Sequence, residues 1–141
     1  MMDASRKQLC DQMAAQEALL TRLAEGSLYA YLRQAWPILE PGTPFLENWH
    51  IPFLAEHLEA VTAGDTTRLL VNLPPRSSKS IVISVAWPTW EWIRNPHLRY
   101  LFASYAESLA IKHSVDRRLL LAVRVVPSPV ERARAPGGGS K

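Results

Sequence analysis

The chain has 141 residues, enough for one ordinary domain, and 48% of them are hydrophobic, enough for a core. Its longest nearly unbroken apolar run, Ile81–Trp87, is far shorter than the ~20 residues of a membrane-spanning helix. The polar N-terminus argues against a secretory signal, and the single cysteine, Cys10, excludes an internal disulfide and suits a reducing compartment. The net charge of +3 lies entirely in residues 122–141, so it does not indicate nucleic-acid binding by the rest of the chain.

Residues 1–43 predict a helical lead-in. Asp3–Glu25 carries apolar residues at helical spacing and is followed by Gly26, a common stop signal. Ser27 is suited to cap a second, short helix that Pro37 would end. The composition of residues 40–44, Glu-Pro-Gly-Thr-Pro, then predicts a loop.

A third helix is predicted to begin near Asn48 or His50 and to end at Gly64-Asp65. Pro52 is compatible with this helix only in its first turn, where a missing N–H costs nothing. The buried stripe of this helix would consist of Phe53, Leu54, Leu58 and Val61.

The second half of the chain predicts alternating strands and helices. Arg68–Leu73 is expected to be a short buried strand and Leu98–Tyr105 a second one. Ile81–Ile93 fits either a strand or a helix by periodicity, and the preceding Lys-Ser pair favours a helix. Glu107–Leu121 is expected to be a helix. This order predicts an α/β fold, the start of a parallel sheet.

The run at residues 71–80, Val-Asn-Leu-Pro-Pro-Arg-Ser-Ser-Lys-Ser, has the layout of a phosphate-binding loop between a strand and a helix. In such loops backbone N–H groups surround the phosphates, the lysine contacts the outer ones and the next hydroxyl binds Mg²⁺. Compared with G-x-x-x-x-G-K-[ST], Lys79 and Ser80 are present, but Leu73 and Ser78 replace the two glycines. The alternative interpretation is a surface loop with a capping serine.

Four pieces of the sequence carry a resemblance to a known family: Asn48-Trp49-His50, Glu56-His57-Leu58, the run 70–80 with its Pro-Pro-Arg loop, and Phe102-Ala103-Ser104-Tyr105-Ala106. Through them, residues 44–121 resemble the N-terminal ATPase part of the large subunit of tailed-phage terminases, the motors that pump DNA into procapsids. The resemblance implies a partial P-loop NTPase core, an incomplete domain that follows the helical lead-in. It also implies ATP and Mg²⁺ as ligands, and a location in the cytoplasm of a bacterial host.

In the full-length family, the partners are double-stranded DNA, the portal protein and the terminase small subunit. The resemblance further implies that Lys79 contacts the β and γ phosphates, that Ser80 binds Mg²⁺ and that the amides of Arg76, Ser77, Ser78, Lys79 and Ser80 surround the phosphates. Arg76 would sense the γ-phosphate or stabilise transition-state charge, as an arginine finger does. The alternative for Arg76 is a salt bridge that orders the loop.

Trp49 and His50 lie where such ATPases often recognise adenine. The alternative for Trp49 is core packing, which is the commoner role of a tryptophan at the start of an amphipathic helix. Packing is also the role expected for Trp36, Trp87, Trp90 and Trp92.

Hydrolysis requires an aliphatic strand that ends in acidic residues, and no acid after Ser80 closes such a strand. The leading interpretation is therefore the N-terminal fragment of a packaging motor, without the acidic strand or the nuclease domain and inactive alone. The alternatives are a non-enzymatic helical fragment that binds proteins and a small self-standing nucleotide-binding protein. Residues 122–141 have a low-complexity composition that fits either a natural tail or translation in another reading frame.

Overall fold

A computed structural model describes residues 4–123, and all regular secondary structure within this range is helical. The elements are α1 (Ala4–Gly26), α2 (Leu28–Leu39), α3 (His50–Ala63), α4 (Lys79–Ile81), a π-helix (Val82–Ala86), α5 (Trp87–Arg94) and α6 (Glu107–Val123). None of the helices in this part of the chain is long and apolar enough to cross a bilayer. The predictions for the tail concern residues that lie outside the described range, apart from Ala122 and Val123 at the end of α6.

The ends of the N-terminal helices follow from local capping. The Ser27 hydroxyl accepts a hydrogen bond from the Ala30 N–H at 3.4 Å, so the predicted cap of α2 is confirmed. Gly64 ends α3 in the left-handed conformation, with φ 87°, and Pro52 lies in the first turn of α3, both as predicted. Pro37, however, lies inside α2 and does not end it. The helix therefore continues to Leu39 despite the missing N–H.

The core lies where α2, α3 and the π-helix meet. Its members are almost fully buried and come from all three elements and their neighbours: Ala24, Leu28, Tyr31, Leu32, Ala35, Trp36, Ile51, Leu54, Ala55, Leu58, Val82, Val85, Ala86, Trp90 and Leu120. Leu54 and Leu58 were expected there, whereas Phe53 is 55% exposed and lies on the opposite face of α3. The four tryptophans expected to pack each donate their ring N–H to an oxygen of another segment, and Trp90 reaches the Ala24 carbonyl at 2.9 Å.

The predicted parallel sheet is wrong for the part of the chain that the structure describes. Neither Arg68–Leu73 nor Leu98–Tyr105 forms a strand, and no backbone hydrogen bond joins one of these segments to the other. A strand exists only as one side of a hydrogen-bonded ladder, so β-rich composition is not sufficient without a partner. Both segments lie at the surface instead, where Leu70 is 87% and Leu101 97% exposed.

The segment that was ambiguous between strand and helix is helical throughout, from Lys79 to Arg94, with the π-helix in its middle. Pro88 lies shortly after the π-helix. Because proline has no backbone N–H, it cannot donate to the Ser84 carbonyl, which is the acceptor of residue 88 in a regular α-helix. Arg117 of α6 donates to that carbonyl instead, with 2.6 Å between Nη1 and the oxygen. The same guanidinium lies 4.1 Å from the centre of the Phe102 ring. Arg117 therefore joins three segments of the fold.

Candidate functional site

Two residues of the loop at positions 74–78 have an unusual backbone conformation. Arg76 and Ser78 both have left-handed conformations, with φ 64° and φ 61°. The helical segment begins immediately afterwards, at Lys79. Where left-handed and right-handed residues alternate, successive N–H groups point toward a common centre and form a concavity that suits an anion.

The polar groups of this loop are available to a ligand. Among the described residues, no acceptor is bonded to the backbone N–H of Arg76, Ser77 or Ser78. The Ser77 Oγ atom is buried and has no hydrogen-bond partner in the described part of the chain. Buried polar atoms are nearly always paired in native proteins, so an orphan at this position is consistent with a site that a ligand completes.

Lys79 and Ser80 lie beside these groups. Both line a concavity of about 400 Å³ that is otherwise formed by Leu73–Ser78 and Ile81, and no carboxylate of a described residue lines it. Lys79 makes no ion pair with a described residue. The residues that line this concavity therefore carry backbone N–H groups, hydroxyls and one ammonium group, and they fit a polyphosphate.

The same residues do not fit a metal ion bound by the protein alone. The described residues contain no group of three or more acidic, histidine or cysteine side chains that could hold a metal. The Ser80 hydroxyl can supply one ligand, so Mg²⁺ would have to arrive with the phosphates, whose oxygens supply others. Arg76 is exposed and forms no ion pair with a described residue, which argues against the alternative of a loop-ordering salt bridge.

The structure brings one of the two expected adenine-contacting residues to the loop. His50, at the start of α3, places its Nε2 atom 3.0 Å from the Ser77 carbonyl oxygen. Trp49 is 74% exposed, so it does not pack in the core, and its ring meets the rings of His50 and Phe53 at 6.1 and 6.2 Å. Trp49 and His50 also line a second cavity, of about 370 Å³, together with residues 69–73. A planar base could enter this cavity, but only His50 contacts the loop.

Sequence reasoning missed two features of the site. The first is the contact between His50 and the Ser77 carbonyl, which are 27 residues apart and which no local pattern connects. The second is the orphaned Ser77 hydroxyl. The left-handed conformation of Ser78 could have been anticipated, because the position matches a glycine of the phosphate-loop pattern.

Replacing Ser78 with glycine should stabilise the folded chain. The left-handed conformation costs a residue with a Cβ roughly 1–2 kcal/mol, and glycine avoids this cost. Glycine also increases the entropy of the unfolded chain, which destabilises the folded state by ~0.4–1 kcal/mol. We expect a net gain of about 0.5–1 kcal/mol, measured by urea unfolding. Ser114→Gly, in the middle of α6, is the matched control and should destabilise by about 0.5 kcal/mol. A loss of stability in Ser78→Gly would show that the Ser78 side chain is needed where it is.

Comparison of the chain with protein-family models, with curated proteins and with solved structures finds no match. The loop and the residues around it are therefore the features of the molecule that bear on its function.

Proposed function

We propose that the chain is the nucleotide-phosphate-binding part of a DNA-packaging motor of the terminase large-subunit type. The observation that carries this proposal is the loop itself, in which Arg76 and Ser78 are left-handed and the N–H groups of residues 76–78, beside Lys79, have no acceptor among the described residues. This conformation is costly for residues other than glycine, and strain of this kind is concentrated at ligand sites. The ligands would be ATP and Mg²⁺, in the cytoplasm of a bacterial host.

Each loop residue has a defined task in this proposal. The free N–H groups donate to phosphate oxygens, and the Lys79 ammonium neutralises charge on the outer phosphates. The Ser80 hydroxyl provides one ligand of the Mg²⁺ that the nucleotide brings. Arg76 is exposed at the rim of the concavity and can reach the terminal phosphate. ATP supplies the transferable phosphoryl group when it is bound.

Hydrolysis is not part of the proposed activity of this chain. It requires one carboxylate that holds the metal and another that orients the attacking water. In the part of the chain that the structure describes, no acidic residue lines the concavity at the loop. In the complete motor, other parts would supply these carboxylates, the nuclease activity and the contacts with double-stranded DNA, the portal protein and the small subunit.

Surface-exposed apolar residues are consistent with a chain that functions inside a larger assembly. Ile111, Val115 and Leu119 form a stripe along α6 that is largely exposed, although its helical spacing is typical of a packed face. Large apolar patches of this kind are uncommon on independent monomers.

A second candidate function is supported by α1. Its exposed apolar residues, Leu9, Met13, Leu19 and Leu23, are spread over the length of the helix and are not covered by other described residues. This surface favours the alternative of a non-enzymatic helical fragment that binds proteins, in which the loop has no ligand.

Titration with a fluorescent ATP analogue in the presence of Mg²⁺ distinguishes these functions. We expect saturable binding that ATP, GTP and inorganic tripolyphosphate all displace, and no release of phosphate from ATP, with or without DNA. Absence of binding would leave the protein-binding fragment as the better explanation. Phosphate release above the level of a Lys79→Ala control would contradict the incomplete motor and favour a self-standing nucleotide-processing protein.

A further inference from the structure

The contact between His50 and the loop fixes the direction of one peptide group. A carbonyl oxygen can only accept a hydrogen bond, so the Nε2 atom that lies 3.0 Å from the Ser77 oxygen must carry a proton. In a planar trans peptide, the C=O and the N–H point in opposite directions. When His50 holds the Ser77 carbonyl on one side, the N–H of Ser78 is therefore directed to the other side.

The two sides of this peptide have different surroundings. His50 belongs to a cavity of about 840 Å³ on one side of the loop, together with Glu40, Glu47 and Asn48. The concavity that contains Lys79 and Ser80 borders the same loop but is not lined by His50. Residues 76–78 border both spaces. The Ser78 N–H has no hydrogen-bond partner among the described residues, so it can donate to a phosphate oxygen.

We propose that His50 is a positioning residue for phosphate binding: it holds the Ser77–Ser78 peptide so that the Ser78 N–H faces the phosphates. This inference rests on the proposed function and assigns His50 to the loop instead of the base. Ser78 stands where the phosphate-loop pattern has glycine, and its left-handed conformation is therefore costly. The hydrogen bond from His50, which holds this peptide, compensates for that cost. The neutral Nε2–H tautomer and the imidazolium both provide the required donor.

The proposal predicts that His50 affects all phosphate ligands equally. His50→Ala should weaken the binding of Mg·ATP and of inorganic tripolyphosphate with Mg²⁺ by the same factor, roughly five-fold, the effect of one ordinary hydrogen bond. His50→Gln retains an N–H donor at a similar distance and should recover most of this loss. His97→Ala, at an exposed histidine that lines none of the cavities described above, is the control and should leave tripolyphosphate binding unchanged.

Two results would overturn the proposal. If His50→Ala weakens ATP binding but not tripolyphosphate binding, His50 contacts the base. If His50→Ala and wild type bind both ligands equally, the hydrogen bond has no part in binding. Urea unfolding of each variant shows whether a loss of affinity reflects a loss of folding, and the recovery in His50→Gln separates positioning from general packing.

A second readout uses the ligand-free chain, so that failure of the proposed function can be recognised separately. Nitrogen NMR of wild type should show a protonated Nε2 on His50. The amide signal of Ser78 should move in His50→Ala and return toward its original position in His50→Gln. A Ser78 amide that does not respond to either variant contradicts the positioning role. If these signals behave as expected but wild type binds neither ligand, the phosphate function is wrong, and with it the proposed purpose of the contact.

Discussion

Replacing Lys79 with alanine should weaken the binding of tripolyphosphate, ATP and GTP by a common factor of roughly 10- to 100-fold, because a charge-assisted contact with a phosphate contributes about 1.5–3 kcal/mol. Lys79 lines the concavity at the loop and has no ion-pair partner in the described part of the chain. Its ammonium group is therefore free to meet the ligand. Because the contact is made with phosphate, the identity of the base should not matter.

A matched control comes from another lysine that lies in a helix. Lys112 lies on α6 and pairs with Asp116, with 2.8 Å between Nζ and Oδ2. Lys112→Ala removes the same charge from a surface that does not border the loop, so it should leave affinity within two-fold of wild type. Loss of its exposed ion pair should cost only about 0–1 kcal/mol of folding stability. Calorimetric titration of the three proteins with each ligand measures the difference. Equal affinities for wild type and Lys79→Ala would mean that the loop is only a turn.

The helices were predictable because their signals are local. The Ser27 side chain caps the start of α2, and Gly64 ends α3 because it has no side chain to oppose a left-handed conformation. Neither signal depends on distant contacts. The helix after Lys79 was also predictable, although Val82 and Val85 favour strands by composition. There, the Lys-Ser pair was the better guide than the apolar periodicity.

The two predicted strands failed for a reason that local sequence cannot reveal. Arg68–Leu73 and Leu98–Tyr105 have suitable composition, but a ladder requires a second strand at the correct distance. No backbone hydrogen bond joins these segments to each other. The prediction that Phe53 is buried was wrong for a related reason. Helical spacing alone does not show which face of α3 is buried, and the elements packed against α3 bury Ile51 and Ala55 instead.

The π-helix and its contact with α6 depend on residues that are far apart in sequence. The Ser84 carbonyl loses its regular donor because position 88 is proline, and the Arg117 guanidinium replaces that donor from a distance of 33 residues. Burial lowers the pKa of Arg117 below its usual value, whereas the neighbouring Asp116 raises it. A guanidinium remains charged at neutral pH, so the hydrogen bond is charge-assisted.

Arg117→Ala should destabilise the folded chain by about 2 kcal/mol, because a hydrogen bond from a charged group contributes about 1.5–3 kcal/mol and a partly buried carbonyl loses its donor. Contact with the Phe102 ring, 4.1 Å from the guanidinium carbon, adds to this loss. Arg117→Lys keeps one positive donor and should recover part of the stability. Arg118→Ala, an exposed arginine one position along α6, is the control and should change stability by less than about 0.5 kcal/mol.

A double-mutant cycle with Pro88→Ala separates the hydrogen bond from the ring contact. Alanine at position 88 restores a backbone N–H that can donate to the Ser84 carbonyl, so the carbonyl no longer depends on Arg117. The cost of Arg117→Ala should therefore be about 1 kcal/mol smaller in the Pro88→Ala background than in wild type, which urea unfolding of the four proteins can resolve. If the two substitutions are additive instead, Arg117 stabilises the fold through Phe102 and packing, and the carbonyl contact contributes little.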